Sequence, residues 1–504
     1  MKKRKISIAL ILCTPLLLFG FLCMFSAAWY INVFGDVGFD AILYTLFSDI
    51  DGTESGLVLE FLLNAALPAM IFTALSVFVI FFTSEKKLSL EVAKHKFRIY
   101  PFPKWLSAVI SVVLTAVLIV TACVKVHFDT YLSYMLEPSS TFIEDNYVDP
   151  QTANITFPEQ KQNLIILYLE SMETSFADAS HHGGNDVNPI PELCELAEEN
   201  VNFSHTESLG GFTSPTGTTW TVAALVAMNC GVPLKLPLGI SSNSYGKEHF
   251  MPGITTLTDI LHENGSYQAF MCGSQATFGG RRQLYVEHGV DEICDHGAAM
   301  IYGIVPYGYA VWWGMEDIHL FEYAKQKLPE MASRGQPFAL SMLTVDTHHV
   351  GGYVCDVCEE EYPERYENVL ACSSRQVYAF IEWVKQQDFY ENTTIVICGD
   401  HPTMDAGYAE RNLPEGYDRK VYNCFINAIP QAVKEKNREF TSLDMFPTIL
   451  ASIGCTFDGD RLGLGTNLFS ASQTLSEELG RDELDAGISK KSDYYNDVFL
   501  GLNL

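Results

Sequence analysis

The pattern of apolar and polar positions changes character near residue 127. Before it, three nearly unbroken apolar spans, 6–31, 58–82 and 105–124, each reach the ~20 residues a helix needs to cross a bilayer. They predict three transmembrane helices. After it the apolar runs shorten: "NLIILYLES" (163–171), "SYQAFMCGS" (266–274), "FALSMLTVDTH" (338–348), "TTIVICGDH" (393–401) and "NCFINAIP" (423–430) are bounded by turn residues and predict strands. Between them "ITTLTDILHENG", "MEDIHLFEYAKQKL", "CSSRQVYAFIEWVKQQ" and "TSLDMFPTILASIG" predict helices. Such alternation implies a mostly parallel sheet between layers of helices. The expected organisation is a membrane domain over 1–127, a polar juxtamembrane linker over 128–160, an α/β domain over 161–470 and an acidic C-terminal tail over 471–504.

Charge orients the apolar spans. The first span follows "MKKRK" and runs on into "AAWYINVF", beyond the ~7–15 apolar residues of a cleaved signal, so it reads as retained. The loop 32–56 has no Lys or Arg, whereas 84–104 carries six. The positive-inside rule then puts the N-terminus and the second loop in the cytoplasm, and everything after 124 outside a multi-pass plasma-membrane protein. The net charge of -29 over 504 residues excludes a general nucleic-acid binder, which needs a basic footprint. An anionic substrate has to be held by local cations. Ten of the 13 cysteines follow the spans, an even number that permits disulfides on an oxidising face. Cys355, Cys358 and Cys372 could hold a metal by their thiolates, but no second CxxC accompanies them, so pairing within the trio is the expectation, as is pairing of Cys272 with Cys294.

In open parallel sheets ligands bind beyond the carboxyl ends of the strands. Glu170 and Ser171, Asp346 to His349, and Asp400 with His401 all fall there. Alone, an Asp-His pair at a strand end also suits a turn, and a single Glu suits a helix cap. Glu170, Asp400 and His401 together make two carboxylates and an imidazole, a set for Mn, Mg or Zn. A nucleophile is offered by "GGFTSPTGTTWTVAALVAMNCGVPL" (210–234), where a Gly/Ser/Thr-rich loop leads into an apolar helix closed by Gly231. The N-terminus of such a helix favours an anion. Five threonines compete in this stretch, and spacing alone does not choose among them.

The segments "LYLES", "TTWTVAALVAMNCGVPL", "TVDTHH", "CGDHP" and "SLDMFPTILASIG" resemble the membrane-anchored phosphoglycerol transferase branch of the alkaline phosphatase and sulfatase superfamily, to which lipoteichoic acid synthase belongs. The loops "FGDVGFDAILYTLFS" and "GDRLGLGTNLFS" look most like its phosphoglycerol transferase I type, so the resemblance covers nearly the whole chain. It implies a sulfatase-like (alkaline phosphatase-like) catalytic domain with one divalent ion, manganese foremost and Mg or Zn as alternatives, held by Glu170, Asp400, His401 and the nucleophile. It places that nucleophile about ten residues before the helix-ending glycine, at Thr221, with Thr218 as the second choice at the spacing of the lipoteichoic acid synthase type. It gives His348 the role of binding a phosphate oxygen or protonating the leaving oxygen, and Arg281 that of holding the substrate phosphate.

Cys272 and Gly279 stand where the lipoteichoic acid synthase type has a histidine and a tryptophan, which makes the headgroup pocket different in detail. A second metal would need further ligands such as Asp346 and His349. The sulfatase C/S-x-P-x-R motif is replaced by "TVAAL" from 221, which argues against sulfatase chemistry. The implied reaction moves phosphoglycerol from phosphatidylglycerol to a glycan or polyglycerophosphate acceptor through a glycerophospho-threonine. A phosphoethanolamine transferase, a phosphodiesterase and a catalytically silent binding protein of the same fold are the alternatives.

Overall fold

The computed structural model describes residues 8–34, 39, 42–43, 55–85, 89–92, 95–98, 104–235 and 249–501. The chain forms two compact units, one built mainly from residues up to 135 and the other from residues after it.

In the first unit the three apolar spans are helical: Ile8–Phe34, Ser55–Phe61 continued through a π turn at Leu62–Ala66 into Leu67–Glu85, and Lys104–Lys125. All three are long and apolar enough to cross a membrane. The chain is membrane-anchored. Many of their large side chains, Phe78 and Val120 among them, are exposed, as a lipid-facing surface requires. The first and third helices approach closely at Gly20, where a Cβ would stand 3.1 Å from Thr115 Cγ2, and the Thr115 hydroxyl donates to Leu16 O at 3.3 Å.

The second unit is organised by a seven-stranded sheet. From edge to edge it runs Gly211–Phe212, Val421–Ile426, Thr393–Gly399, Asn163–Leu169, Phe338–Leu343, Tyr267–Cys272 and Glu292–Cys294. Five strands are mutually parallel, and Val421–Ile426 and Gly211–Phe212 are antiparallel to their neighbours. Side chains alternate between two cores. Leu164, Ile166 and Tyr168 join Val396 and Cys398 on one face, under helices Thr221–Cys230 and Met445–Ser452. Ile165, Leu167 and Leu169 join Ile395 and Ile397 on the other, under Pro191–Glu199, Asp317–Ala332 and Arg365–Val384. Burial on both faces is why these strands read as unbroken apolar runs rather than alternating ones.

Two stretches set apart by composition pack on this domain. The linker residues Val148 and Thr156 bridge to Gly463 and Thr456, and Ile143 is buried. The acidic segment 471–504 forms helices Leu475–Leu479 and Arg481–Ser489, and Leu475, Leu484, Ile488, Tyr495 and Phe499 enter the first core. Leu484 and Ile488 lie one helical turn apart in an apolar stripe that docks the segment, Asp482 and Glu483 stay exposed, and Glu477 turns inward to pair with the buried Arg438 at 2.7 Å.

The expected disulfides are not formed, and all 13 cysteines are free thiols. Met271 is the register partner of Cys294, so the next residue, Cys272, projects from the opposite face. Cys272 and Cys294 consequently belong to different cores. Cys355 Sγ lies 3.5 Å from Cys358 Sγ and 3.8 Å from Cys372 Sγ, beyond the ~2.05 Å of an S–S bond.

Candidate metal centre and active site

Two adjacent parallel strands deliver the central residues. Asn163–Leu169 runs into Glu170 and Ser171, and its neighbour Thr393–Gly399 runs into Asp400 and His401. Asp400 N donates to Leu169 O at 3.1 Å, which ties the two strand ends together. Gly399 is required for this approach, because a Cβ there would stand 2.0 Å from Met172 O and 2.6 Å from Val421 Cγ1. We expect Gly399→Ala to destabilise the domain by about 3 kcal/mol, lowering its melting temperature in detergent by about 5 °C; an unchanged melting temperature would show that the two strand ends can separate freely.

The hydrogen bonds leave one lone pair of each group aimed at a common centre. Asp400 Oδ1 accepts from Ser171 N (2.8 Å) and His401 N (2.7 Å), whereas its Oδ2 has no hydrogen-bond partner among the described residues. Glu170 Oε1 accepts from Ser171 Oγ at 2.7 Å. His401 Nδ1 lies 2.9 Å from Pro402 O, so the proton belongs on Nδ1 and the Nε2 lone pair faces inward. His401 Nε2 is 3.4 Å from Asp400 Oδ2 and 3.5 Å from Glu170 Oε1. The carboxylate and imidazole ligand atoms of Glu170, Asp400 and His401 all lie within 4.8 Å of one another, and all three residues are buried.

Thr221 begins the helix Thr221–Cys230, and Gly231 ends it in the left-handed conformation (φ 65°). Its hydroxyl is 3.3 Å from Glu170 Oε2 and 3.4 Å from His401 Nε2. The Thr218 hydroxyl is turned away and donates to Pro215 O at 2.8 Å in a buried turn.

Burial and the neighbouring Glu170 push the Asp400 carboxyl up to about 7. Burial lowers His401, but Asp400 and Glu170 outweigh it and hold the imidazole above its ordinary pKa. A buried, unsatisfied carboxylate oxygen facing a second carboxylate and an imidazole is the arrangement a divalent cation relieves. The residues therefore fit such an ion, with oxygen and nitrogen donors only.

Around this centre the segment after Phe338–Leu343 brings His348, whose Nδ1 is 2.8 Å from His349 O and whose ring stands 4.8 Å from that of Trp313. Burial lowers the His348 pKa, while Glu170 opposes the shift. Arg281 is buried at the start of helix Arg281–Glu287 and donates to Phe278 O, Ser274 Oγ and Gln275 O. It is near enough to His348 to act on its charge. Cys272 Sγ contacts Ser274 O at 3.3 Å, and Gly279 adopts a left-handed conformation (φ 66°).

Asp346 and His349 do not join the metal-ligand group: the Asp346 carboxylate accepts from Asp317 N at 3.2 Å. Two features were not read from the sequence. One is Trp313, whose only signal was an aromatic pair, Trp312 and Trp313, in the aromatic stretch "VPYGYAVWWG". The other is buried Glu173, which accepts from Thr403 N at 2.7 Å and from Arg419, and so clamps the segment after His401 to the segment after Glu170. Nothing local in the sequence links residues that far apart.

The sulfatase family model matches residues 162–455, and the chain belongs to this family. Phosphoglycerol transferase I of Escherichia coli is 33% identical over 338 residues, which is 64% of this chain and 41% of that protein. Phosphoglycerol transferase I of Escherichia fergusonii is 32% identical over 340 residues, again 64% of this chain and 41% of the relative. The chain thus spans about two fifths of the length of the curated relatives it matches. A crystal structure of a protein in the alkaline phosphatase superfamily from Vibrio parahaemolyticus aligns with a TM-score of 0.51 at 20% identity, covering 68% of this chain and 81% of that one, a likeness of fold.

Proposed function

We propose that the protein is a phosphoglycerol transferase that uses Thr221 as a covalent nucleophile. The observation that carries the reading is the placement of the Thr221 hydroxyl 3.3 Å from Glu170 Oε2 and 3.4 Å from His401 Nε2, at the N-terminus of a helix. Its support from relatives is the 33% identity to phosphoglycerol transferase I. Family membership does not make it a sulfatase, because Thr221 begins "TVAAL" rather than a Cys- or Ser-based C/S-x-P-x-R motif.

Glu170, Asp400, His401 and Thr221 would hold a divalent ion, manganese by this reading, which would supply Lewis acidity to lower the pKa of the Thr221 hydroxyl and offset phosphoryl charge. Thr221 releases its hydroxyl proton to solvent and Oγ1 attacks the phosphorus of phosphatidylglycerol; the bond from phosphorus to the diacylglycerol oxygen breaks, and that oxygen takes a proton and leaves as diacylglycerol. Glycerophosphate stays on Thr221 as a phosphodiester. An acceptor hydroxyl, from a glycan or a polyglycerophosphate chain, then displaces Thr221. His348 keeps Nδ1 directed at the His349 carbonyl and presents Nε2 to the reacting oxygens: as imidazolium it gives the leaving oxygen a proton, and as imidazole it takes one from the acceptor. Arg281 holds the phosphate with a charge anchored by Ser274 and Gln275. The catalytic unit lies outside the cell, following the charge asymmetry of loops 32–56 and 84–104, and the anchor keeps it beside its lipid donor.

Arg281→Gln is expected to lower kcat/KM about 100-fold, because one charged phosphate contact is lost; a change below about threefold would remove Arg281 from the phosphate site. The reading as a whole is tested by diacylglycerol release from micelles of phosphatidylglycerol or phosphatidylethanolamine, with manganese. Release from phosphatidylglycerol is the expected result. Release from phosphatidylethanolamine alone would make the enzyme a phosphoethanolamine transferase, and release of free glycerophosphate at the same rate without an acceptor would make it a phosphodiesterase.

A further inference from the structure

A second group of metal-binding side chains lies outside the Glu170 centre. Cys355 and Cys358 stand on a tight turn closed by Cys358 N donating to Cys355 O at 3.0 Å, and Cys372 comes from the helix Arg365–Val384. Their sulfurs are mutually within 4.8 Å, with Cys355 Sγ 3.5 Å from Cys358 Sγ and 3.8 Å from Cys372 Sγ. Ligands about 2.3 Å from a tetrahedral zinc ion stand about 3.8 Å from one another, so the spacing is that of thiolates around one ion.

Three further contacts point the same way. The backbone N–H groups of Val357 and Cys358 lie near the Cys355 sulfur, a placement that favours a thiolate. Gln376, one turn beyond Cys372, donates from Nε2 to Cys372 Sγ at 3.3 Å, and its Oε1 is buried without a hydrogen-bond partner among the described residues. Arg375 lies close enough to Cys372 to interact with its charge.

We propose that Cys355, Cys358 and Cys372 form a tristhiolate site for a thiophilic divalent ion of the zinc class, with Gln376 Oε1 as the fourth ligand after its amide turns over to exchange Nε2 for Oε1. Binding exchanges three S–H protons, released to solvent, for three metal–sulfur bonds with no change in oxidation state. The site then carries one net negative charge beside the Arg375 guanidinium, which is shared with Glu361. A disulfide would use two of the three sulfurs and strand the third; the ion uses all three. The site is structural, fastening the turn 355–358 to the helix that already holds the His348 segment through Tyr366 Oη donating to Thr347 O at 2.8 Å.

The test is cobalt substitution of the full-length protein in detergent, reduced and stripped of metal. The expected result is a near-ultraviolet sulfur-to-cobalt charge-transfer band saturating at about one equivalent, which the oxygen and nitrogen donors of the Glu170 centre do not produce. The band is expected to persist in Asp400→Asn and to vanish in Cys372→Ser. Gln376→Ala keeps all three thiols and is expected to keep the band while shifting the visible ligand-field bands; unshifted bands would overturn Gln376 as a ligand. Absence of the band in the wild-type protein overturns the site without reliance on any variant. So does a Cys355–Cys358 or Cys355–Cys372 disulfide, found by peptide mass analysis of the protein as purified, with no zinc bound.

Discussion

Thr221→Ala is expected to reduce diacylglycerol release by at least about 1,000-fold while leaving the fold intact. The hydroxyl contacts at Thr221 are long, 3.3 Å and 3.4 Å, so deleting them removes little stabilisation, and alanine is a good residue for the first turn of a helix. The melting temperature should stay within about 2 °C of wild type. Thr221→Ser keeps a hydroxyl at the same atom position and should retain activity within about tenfold. Thr218→Ala should behave the opposite way, with a lower melting temperature and nearly unchanged chemistry, since its hydroxyl donates to Pro215 O in a buried turn. Full activity in Thr221→Ala, or loss of activity without loss of stability in Thr218→Ala, would move the nucleophile.

Asp400→Asn is expected to abolish metal binding and activity and yet to stabilise the metal-free protein. Asparagine keeps the Oδ1 acceptor for Ser171 N and His401 N, and its amide takes the place of an oxygen that has no hydrogen-bond partner and lies 3.4 Å from His401 Nε2. It also removes a buried negative charge beside Glu170. The Asp400 carboxyl has an ordinary pKa of 3.8 and is pushed up to about 7 in the fold by burial and Glu170. The folded state thus holds a proton that the unfolded state has lost, so the contribution of Asp400 to stability is full below the ordinary value and is lost as pH rises through about 7. The advantage of Asp400→Asn over metal-free wild type should grow across that interval. Adding manganese should reverse the order, because an ion at 100 times its Kd stabilises the wild type by about 2.7 kcal/mol and the variant not at all. Melting curves at three pH values, with and without manganese, check all of this. An Asp400→Asn protein that melts well below metal-free wild type would mean that the carboxylate is a structural anchor rather than a metal ligand.

Much of this arrangement was legible from local pattern. The unbroken apolar runs at 163–169 and 393–399 marked central strands because both of their faces are covered, and the polar residues at their ends marked the site. The apolar run before Gly231 marked a helix because glycine accepts the left-handed conformation that ends it. The two edges were not legible: Gly211–Phe212, antiparallel to its neighbour, and Glu292–Cys294, parallel to its own, are two and three residues long, too short for a period to show. The start of Arg365–Val384 was hidden by the charged stretch "EEEYPERYEN", which masks the apolar stripe that follows. Cys272 and Cys294 were expected to pair, and only the register of adjacent strands reveals that they face opposite cores. Glu173 with Arg419, and Trp313 beside His348, are meetings of distant segments that no periodicity encodes.

The most direct measurement is the intact mass of the manganese-loaded protein after incubation with phosphatidylglycerol and no acceptor. A gain of one glycerophosphate unit, mapped to Thr221 and absent in Thr221→Ala, is the predicted result. Bound manganese with neither an adduct nor released diacylglycerol would contradict it.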